Sequence, residues 1–298
     1  MRKLWLLFAI LVAGDGFAGC SDSGAPKELG PLTDSSIVFT GLSLSTTPYN
    51  KIYAVLPDGN GFRMLTTGPE ESIHPHWSRD GEKIAYVVNR NSGIEVWVMA
   101  KDQTDARAVA TGIPCSTLAL LSWSPTGDRI LAYCGVGPGS LDVINVADKT
   151  LSPAQGWGRG VRNPDWSPIG DKLIYGRLGD VYVANLDGSG ETLAVSSASE
   201  PTWSPDGAHI AFVRSIANFR NAIFVANADG TGIRQLSFPP DATSDSDISP
   251  SWSHDGTRIV FERYGASPTG KVLHAVGVVG GGDKLITPVS LEVSYPSW

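Results

Sequence analysis

Beyond its first twenty residues the chain alternates short apolar runs, rich in β-branched and aromatic residues, with short polar turns. One set of runs reads Ile84-Ala85-Tyr86-Val87, Ile130-Leu131-Ala132-Tyr133, Leu173-Ile174-Tyr175, Ile210-Ala211-Phe212-Val213 and Ile259-Val260-Phe261. Each is too short for a helix and is bounded by turn residues, so each predicts a strand. A further strand follows at residues 94–99, 141–146, 181–185, 223–227 and 272–276, and a short one ends the unit, as at 62–65 and 233–236. No helical period interrupts this pattern.

A tryptophan and a tight turn stand ahead of each run. The fullest copy is Trp203-Ser204-Pro205-Asp206-Gly207. Versions occur at Trp77-Ser78-Arg79-Asp80-Gly81, Trp123-Ser124-Pro125-Thr126-Gly127, Trp166-Ser167-Pro168-Ile169-Gly170 and Trp252-Ser253-His254-Asp255-Gly256, and a sixth begins at Tyr295-Pro296-Ser297-Trp298. Proline presets φ, Asp bonds back to nearby backbone, and Gly81, Gly127, Gly170, Gly207 and Gly256 supply the positive φ that the turn requires. The tryptophans are spaced by 46, 43, 37, 49 and 46 residues, the period of a four-stranded propeller blade. A second turn, strongest at Asp58-Gly59, Asp187-Gly188 and Asp229-Gly230, falls 21 to 26 residues after the tryptophan in four successive repeats. The match therefore covers the whole unit.

The first repeat opens at Ser36-Ile37-Val38-Phe39-Thr40 without a first strand, and the stretch ending in Trp298 supplies one. The pattern predicts an all-β, six-bladed β-propeller over 36–298, closed by pairing the C-terminal strand with the first blade, which leaves no sheet edge exposed. Residues 1–19 combine basic Arg2 and Lys3 with an apolar run and read as a secretory signal peptide. Phe17-Ala18-Gly19-Cys20 resembles a bacterial lipobox, which marks Cys20 for lipidation, and 20–35 reads as a flexible tether. That places the protein in the bacterial cell envelope, held to the periplasmic side of the outer membrane by its lipid or free in the periplasm.

The repeat as a whole, Trp-Ser-Pro-Asp-Gly followed by Ile-Ala-Phe, an Ile-Tyr-Val type strand and an Asp-Gly turn, resembles the propeller domain of the periplasmic translocation protein TolB. The resemblance implies a propeller acting as a protein- or peptide-binding scaffold. It departs from TolB in having only a short tether, and no α/β domain, ahead of Ser36. Related blades occur in prolyl oligopeptidases, but the six repeats leave no room for an appended hydrolase domain. No Gly-x-Ser-x-Gly, His-Glu-x-x-His or phosphate-cradling loop is present either. The expectation is a protein that is not an enzyme and carries no cofactor.

Composition changes this picture little. The net charge is -7, which gives no pull toward nucleic-acid phosphates, and a monomer reaching the membrane only through its anchor is expected. Cys115 and Cys134 flank the Trp123 hairpin and are candidates for a disulfide in an oxidising compartment; the alternative is two buried thiols. Trp77, Trp123, Trp166, Trp203, Trp252 and Trp298 are expected as wedges between blades.

Function is expected on the face that carries the second-to-third-strand loops and the inter-blade connections, because these vary while the opposite turns are stereotyped. His74, Leu120, Asn163, Glu200, Ser249 and Tyr295, placed just before each first strand, should ring the channel mouth. His76, Arg162 and Asp165 stand close by, and Arg90, Arg214, Arg220, Arg263, Asp245 and Asp247 are expected to add charge from the loops. His74 with His76, as alternate strand residues, could offer two imidazoles to a metal, and Asp245 with Asp247 could offer carboxylates to calcium. Neither pair has a third ligand, so no metal is expected. A metal-dependent lyase acting on acidic polysaccharide, or a purely structural envelope protein, are the competing classes.

Overall fold

The computed structural model describes residues 32–42, 49–113, 115, 118–134, 140–157, 160–170, 172–240, 245–267, 270–287 and 292–298. The expected signal peptide, Cys20 and most of the tether lie outside them. Six antiparallel four-stranded sheets follow one another around an axis. The inner strands of blades 2 to 6 are Glu71–Trp77, Leu118–Trp123, Arg162–Trp166, Ser199–Trp203 and Ser246–Trp252. Their second strands are Lys83–Arg90, Arg129–Cys134, Lys172–Arg177, His209–Ser215 and Arg258–Ser267. Third strands run over Gly93–Ala100, Ser140–Asn145, Asp180–Asn185, Asn221–Asn227 and Gly270–Gly277, each followed by a shorter outer strand.

Blade 1 is the exception that closes the wheel. Its strands Ile37–Leu42, Asn50–Val55 and Arg63–Met64 take their inner neighbour, Val293–Ser297, from the far end of the sequence. Val38 lies opposite Ser297 and Gly41 opposite Val293. The indole of Trp298 donates to the Ser35 carbonyl at 3.0 Å.

The core is divided among the blade interfaces. Six separate apolar clusters each join two neighbouring blades, and each contains one of the six repeat tryptophans. None of these rings is more than 5% exposed. A flat aromatic ring fills the wedge between two diverging sheets and contributes several kcal/mol, roughly 25 cal/mol for each Å² it buries.

Four of the five turns behave as their residues predict. Gly81, Gly127, Gly207 and Gly256 have φ between 67° and 69°, and each donates its N–H to the carbonyl of the repeat serine. Gly170 does not take a positive φ. Ile169 replaces the aspartate that accepts the serine hydroxyl in blades 2, 5 and 6, and it stands out into solvent. The Trp123 hairpin carries a disulfide between Cys115 and Cys134, whose Cα atoms are 5.9 Å apart. The register sets Leu118 opposite Cys134.

Candidate functional site: the mouth of the axial channel

Every inner strand breaks its ladder at the same place. The register shifts between Ile73 and His76, Leu118 and Leu120, Arg162 and Asp165, Ser199 and Thr202, and Ile248 and Ser251, and again opposite Tyr295-Pro296. In five blades the break falls on an X-Pro pair, because proline has no N–H to give to the ladder and is confined to edges and bulges. The residues ahead of the prolines, His74, Asn163, Glu200, Ser249 and Tyr295, all have φ between 46° and 54°. A non-glycine residue held there costs about 1 kcal/mol or more and persists only where its surroundings over-determine it. The expected rim residues therefore sit within the inner strands, not ahead of them, because each strand continues past its bulge.

These bulges line an axial cavity of about 220 Å³. On its loop side, Glu200 Oε2 accepts the Ser249 N–H at 2.7 Å, while Oε1 has no protein partner among the described residues. Burial raises the Glu200 pKa, and the charge of Glu262 adds to it. Glu262 is itself fully buried. It accepts the Tyr295 N–H at 2.7 Å and pairs with Lys271 Nζ at 2.7 Å. The His74 ring stands edge-on to Tyr295, centroids 3.9 Å apart, and bonds the Leu118 carbonyl; burial holds its pKa down to about 4. Its Nδ1 is buried without a partner.

The turn side of the cavity holds Asp165. Its carboxylate accepts from Ser122 Oγ at 2.7 Å, Trp203 N at 2.8 Å, Thr202 Oγ1 at 3.0 Å and Arg79 at 3.0 Å. Arg79 also donates to the Trp166 carbonyl at 2.6 Å. The His76 ring meets the Trp77 carbonyl at 3.0 Å, and burial pushes its pKa down to about 4 against the pull of Asp165.

The geometry separates the other expected site residues from this cavity. Asp247 and Arg263 form a buried two-bonded ion pair, at 2.6 and 2.8 Å, which Asp283 extends at 2.6 Å. Arg220 is buried and donates to the carbonyls of Pro239 and Pro240 at 2.8 and 3.0 Å. These residues were expected to present charge at the surface. They are interior because a buried charge must be paired or fully bonded, and each finds its partner one loop away. Asp245 is buried, with neither carboxylate oxygen bonded. Arg90 pairs with Glu70 and Glu95 on blade 2, Arg214 donates to the Ser196 and Ser197 carbonyls, and Arg162 is exposed.

The bulge also breaks the strand alternation that would have put His74 and His76 on one side, and the two rings keep separate partners. Among the described residues no group of three His, Cys, Asp or Glu side chains is placed to hold a metal ion.

Residues not singled out in the sequence contribute as much as those that were. Glu262 and Lys271 lie on the second and third strands of blade 6 respectively, with no local signal. Arg79 stands where three repeats have proline, and that departure could have marked it. Phe219 and Phe238 are the largest omission. Phe219 ends a short 3-10 turn between the second and third strands of blade 5, fully exposed and with φ 57°. Phe238, 69% exposed, lies in the connection to blade 6. Arg220 ties the two loops together. Both belong to the face on which the cavity lies against Glu200 and Tyr295.

The architecture is thus a closed six-bladed propeller of the Trp-Ser-Pro-Asp-Gly class, with a strained polar cavity on its axis. Residues 36–298 match the TolB beta propeller domain, and the chain belongs to that family. It is 30% identical over 161 residues to the Protein TolB homolog of Chlorobium luteolum, covering 51% of this chain and 35% of that protein. It is 26% identical over 166 residues to the Uncharacterized peptidase YuxL of Bacillus subtilis, covering 53% and 24% respectively. The chain thus spans about a third or less of the length of these relatives. The solved structure of TolB from Acinetobacter baumannii superposes with a TM-score of 0.72 at 16% identity, over 90% of this chain and 68% of that one. That last likeness is one of fold.

Proposed function

We propose that the protein is a non-catalytic component of the bacterial cell envelope that binds a protein or peptide segment over the loop-side mouth of its channel. The observation that carries the reading is the coincidence, on one face, of a polar cavity with the exposed rings of Phe219 and Phe238. A fully solvated aromatic on a strained backbone gives nothing back in the free protein, whereas buried aromatics anchor interfaces. Arg220 fixes the two loops before a partner arrives, which lowers the ordering cost of binding. A signal peptide and lipidated Cys20 would hold the wheel at the membrane. The tether reaches about 50 Å at full extension, at about 3.4 Å per residue, so the mouth is free to meet a partner.

Photo-crosslinking in native membranes tests this. A photoreactive residue at Arg162 or Phe238 should trap a defined partner that is not trapped from Val279 on the turn face. Phe219→Ala combined with Glu200→Lys should abolish the product. Equal trapping from both faces, or a product indifferent to those substitutions, would refute the reading.

A further inference from the structure

We propose that the axial cavity is a subsite for a single primary ammonium group, brought by a lysine side chain or by the N-terminus of the bound segment. The inference rests on docking at the channel mouth and names the chemistry that enters it. Three charged side chains line the cavity, and two of them are paired with groups behind its wall: Lys271 with Glu262 at 2.7 Å and Asp165 with Arg79 at 3.0 Å. Glu200 is the third; it feels the charge of Lys271 but makes no ion pair among the described residues. One of its oxygens is occupied by the Ser249 N–H; the other has no partner among the described residues.

A second acceptor is left unfilled in the wall behind the cavity. His74 is only 7% exposed. With its ring already bonded to the Leu118 carbonyl, Nδ1 is left as a buried lone pair without a donor. The cavity therefore holds one carboxylate without an ion-pair partner among the described residues, with one oxygen open to an N–H donor.

The walls select the form of that charge. Pro75, Pro164, Pro201, Pro250 and Pro296 form a rigid collar with Leu120, suited to an unbranched alkyl stem that carries its charge beyond the apolar stretch. A guanidinium is planar and matches a carboxylate through both oxygens, whereas an ammonium is a compact charge whose three donors can be shared among separate acceptors. Glu200 has one oxygen to offer, so the site fits the ammonium.

The test is an NMR titration of the intact mature protein with four probes. Nα-acetyl-lysine methylamide represents the side chain and alanyl-glycine amide the N-terminus. Nα-acetyl-norleucine methylamide keeps the stem without the charge, and Nα-acetyl-arginine methylamide changes the charge's shape. One of the two ammonium probes should bind saturably and shift the Ser249 and Tyr295 amides, and which one does so identifies the source. Glu200→Gln, which keeps an acceptor for Ser249, should weaken it by about tenfold or more, the loss expected for a charge-assisted bond.

Norleucine or arginine probes binding as tightly as the ammonium probes, no saturable binding by either ammonium probe, or undiminished binding to the variant would each overturn the subsite. The contrast among probes on the unmodified protein decides the matter even if the variant does not fold. Partner trapping at Phe238 that survives such a failure would leave the docking reading standing without the ammonium.

Discussion

The acid limb of the stability curve tests the interior of the channel directly. His74 is buried against Tyr295, and its pKa is held at about 4 where the ordinary value is 6.5. Between those values the unfolded chain binds a proton that the folded ring refuses. Stability from this group is therefore full above about pH 6.5, falls as the pH drops through the window, and falls no further below about pH 4. A gap of about 2.5 pH units at about 1.4 kcal/mol each is about 3 to 4 kcal/mol, a large part of the 5 to 15 kcal/mol on which most domains depend. His74→Asn isolates it, because asparagine tolerates the left-handed backbone at this position and does not titrate. Losing the contact with Tyr295 lowers stability at every pH, so the readout is the change with pH and not the offset. Urea unfolding of both proteins, followed by tryptophan fluorescence from about pH 7.5 to 4, should show the wild-type advantage shrinking by about 3 kcal/mol. Losses from carboxylates and from His76 are common to both proteins and cancel. Parallel profiles would mean that the folded ring is hydrated or charged, and the account of a buried, neutral His74 would fail.

Three further outcomes follow from the packing. Trp203→Ala and Trp252→Ala should each cost about 3 to 5 kcal/mol in urea unfolding, the usual price of a large cavity in a well-packed interface. Cys115→Ser with Cys134→Ser should lower stability by about 3 kcal/mol under oxidising conditions, for a crosslink spanning 19 residues, and should leave the reduced protein little changed. Arg79→Met should cost about 2 to 4 kcal/mol by stranding Asp165 without its cation. Adding Asp165→Ser, the residue found at this position in blades 3, 6 and 1, should recover part of that loss in a double-mutant cycle, whereas additive costs would show that the pair is not coupled.

The wheel was legible because its determinants are local. A tryptophan, a Ser-Pro-Asp-Gly turn and a β-type run recur at blade spacing, and each fixes its own hairpin. Closure was legible because one copy of the motif ends at Trp298 while the repeat at Ser36 lacks its inner strand. The channel was legible only in outline. The X-Pro bulges place non-glycine residues at positive φ, which no residue type announces, so the rim lies deeper than its sequence position suggested. The fate of charge was not legible at all. Arg263 and Asp247 look like surface groups until the connection after the third strand of blade 6 returns Asp283 to them, and Arg220 looks free until the next connection brings the Pro239 carbonyl within reach. Blade 4 shows the reverse case: Gly170 keeps its place in the motif but not its conformation, because Ile169 cannot do the work of an aspartate.

The two departures at the proline position of the turn have a common purpose. Arg79 leaves blade 2, passes blade 3 and bonds Asp165 and the Trp166 carbonyl of blade 4. His254 leaves blade 6, passes blade 1, and sets Nε2 3.3 Å from the Ser78 carbonyl of blade 2, its ring edge-on to Trp77. On the turn side, then, blades 6, 2 and 4 are tied in sequence. Blade 1, the only blade drawn from two distant parts of the sequence, lies beneath the first of these ties, where a wheel closed by strand pairing alone would be easiest to open. The ties also give the molecule two unlike faces. One is braced across its axis by side chains already committed to one another; the other holds Glu200, with an oxygen unbonded among the described residues, and the exposed rings of Phe219 and Phe238. A segment entering the channel can replace nothing on the braced side without breaking a buried ion pair, so the loop side is the side from which it must come.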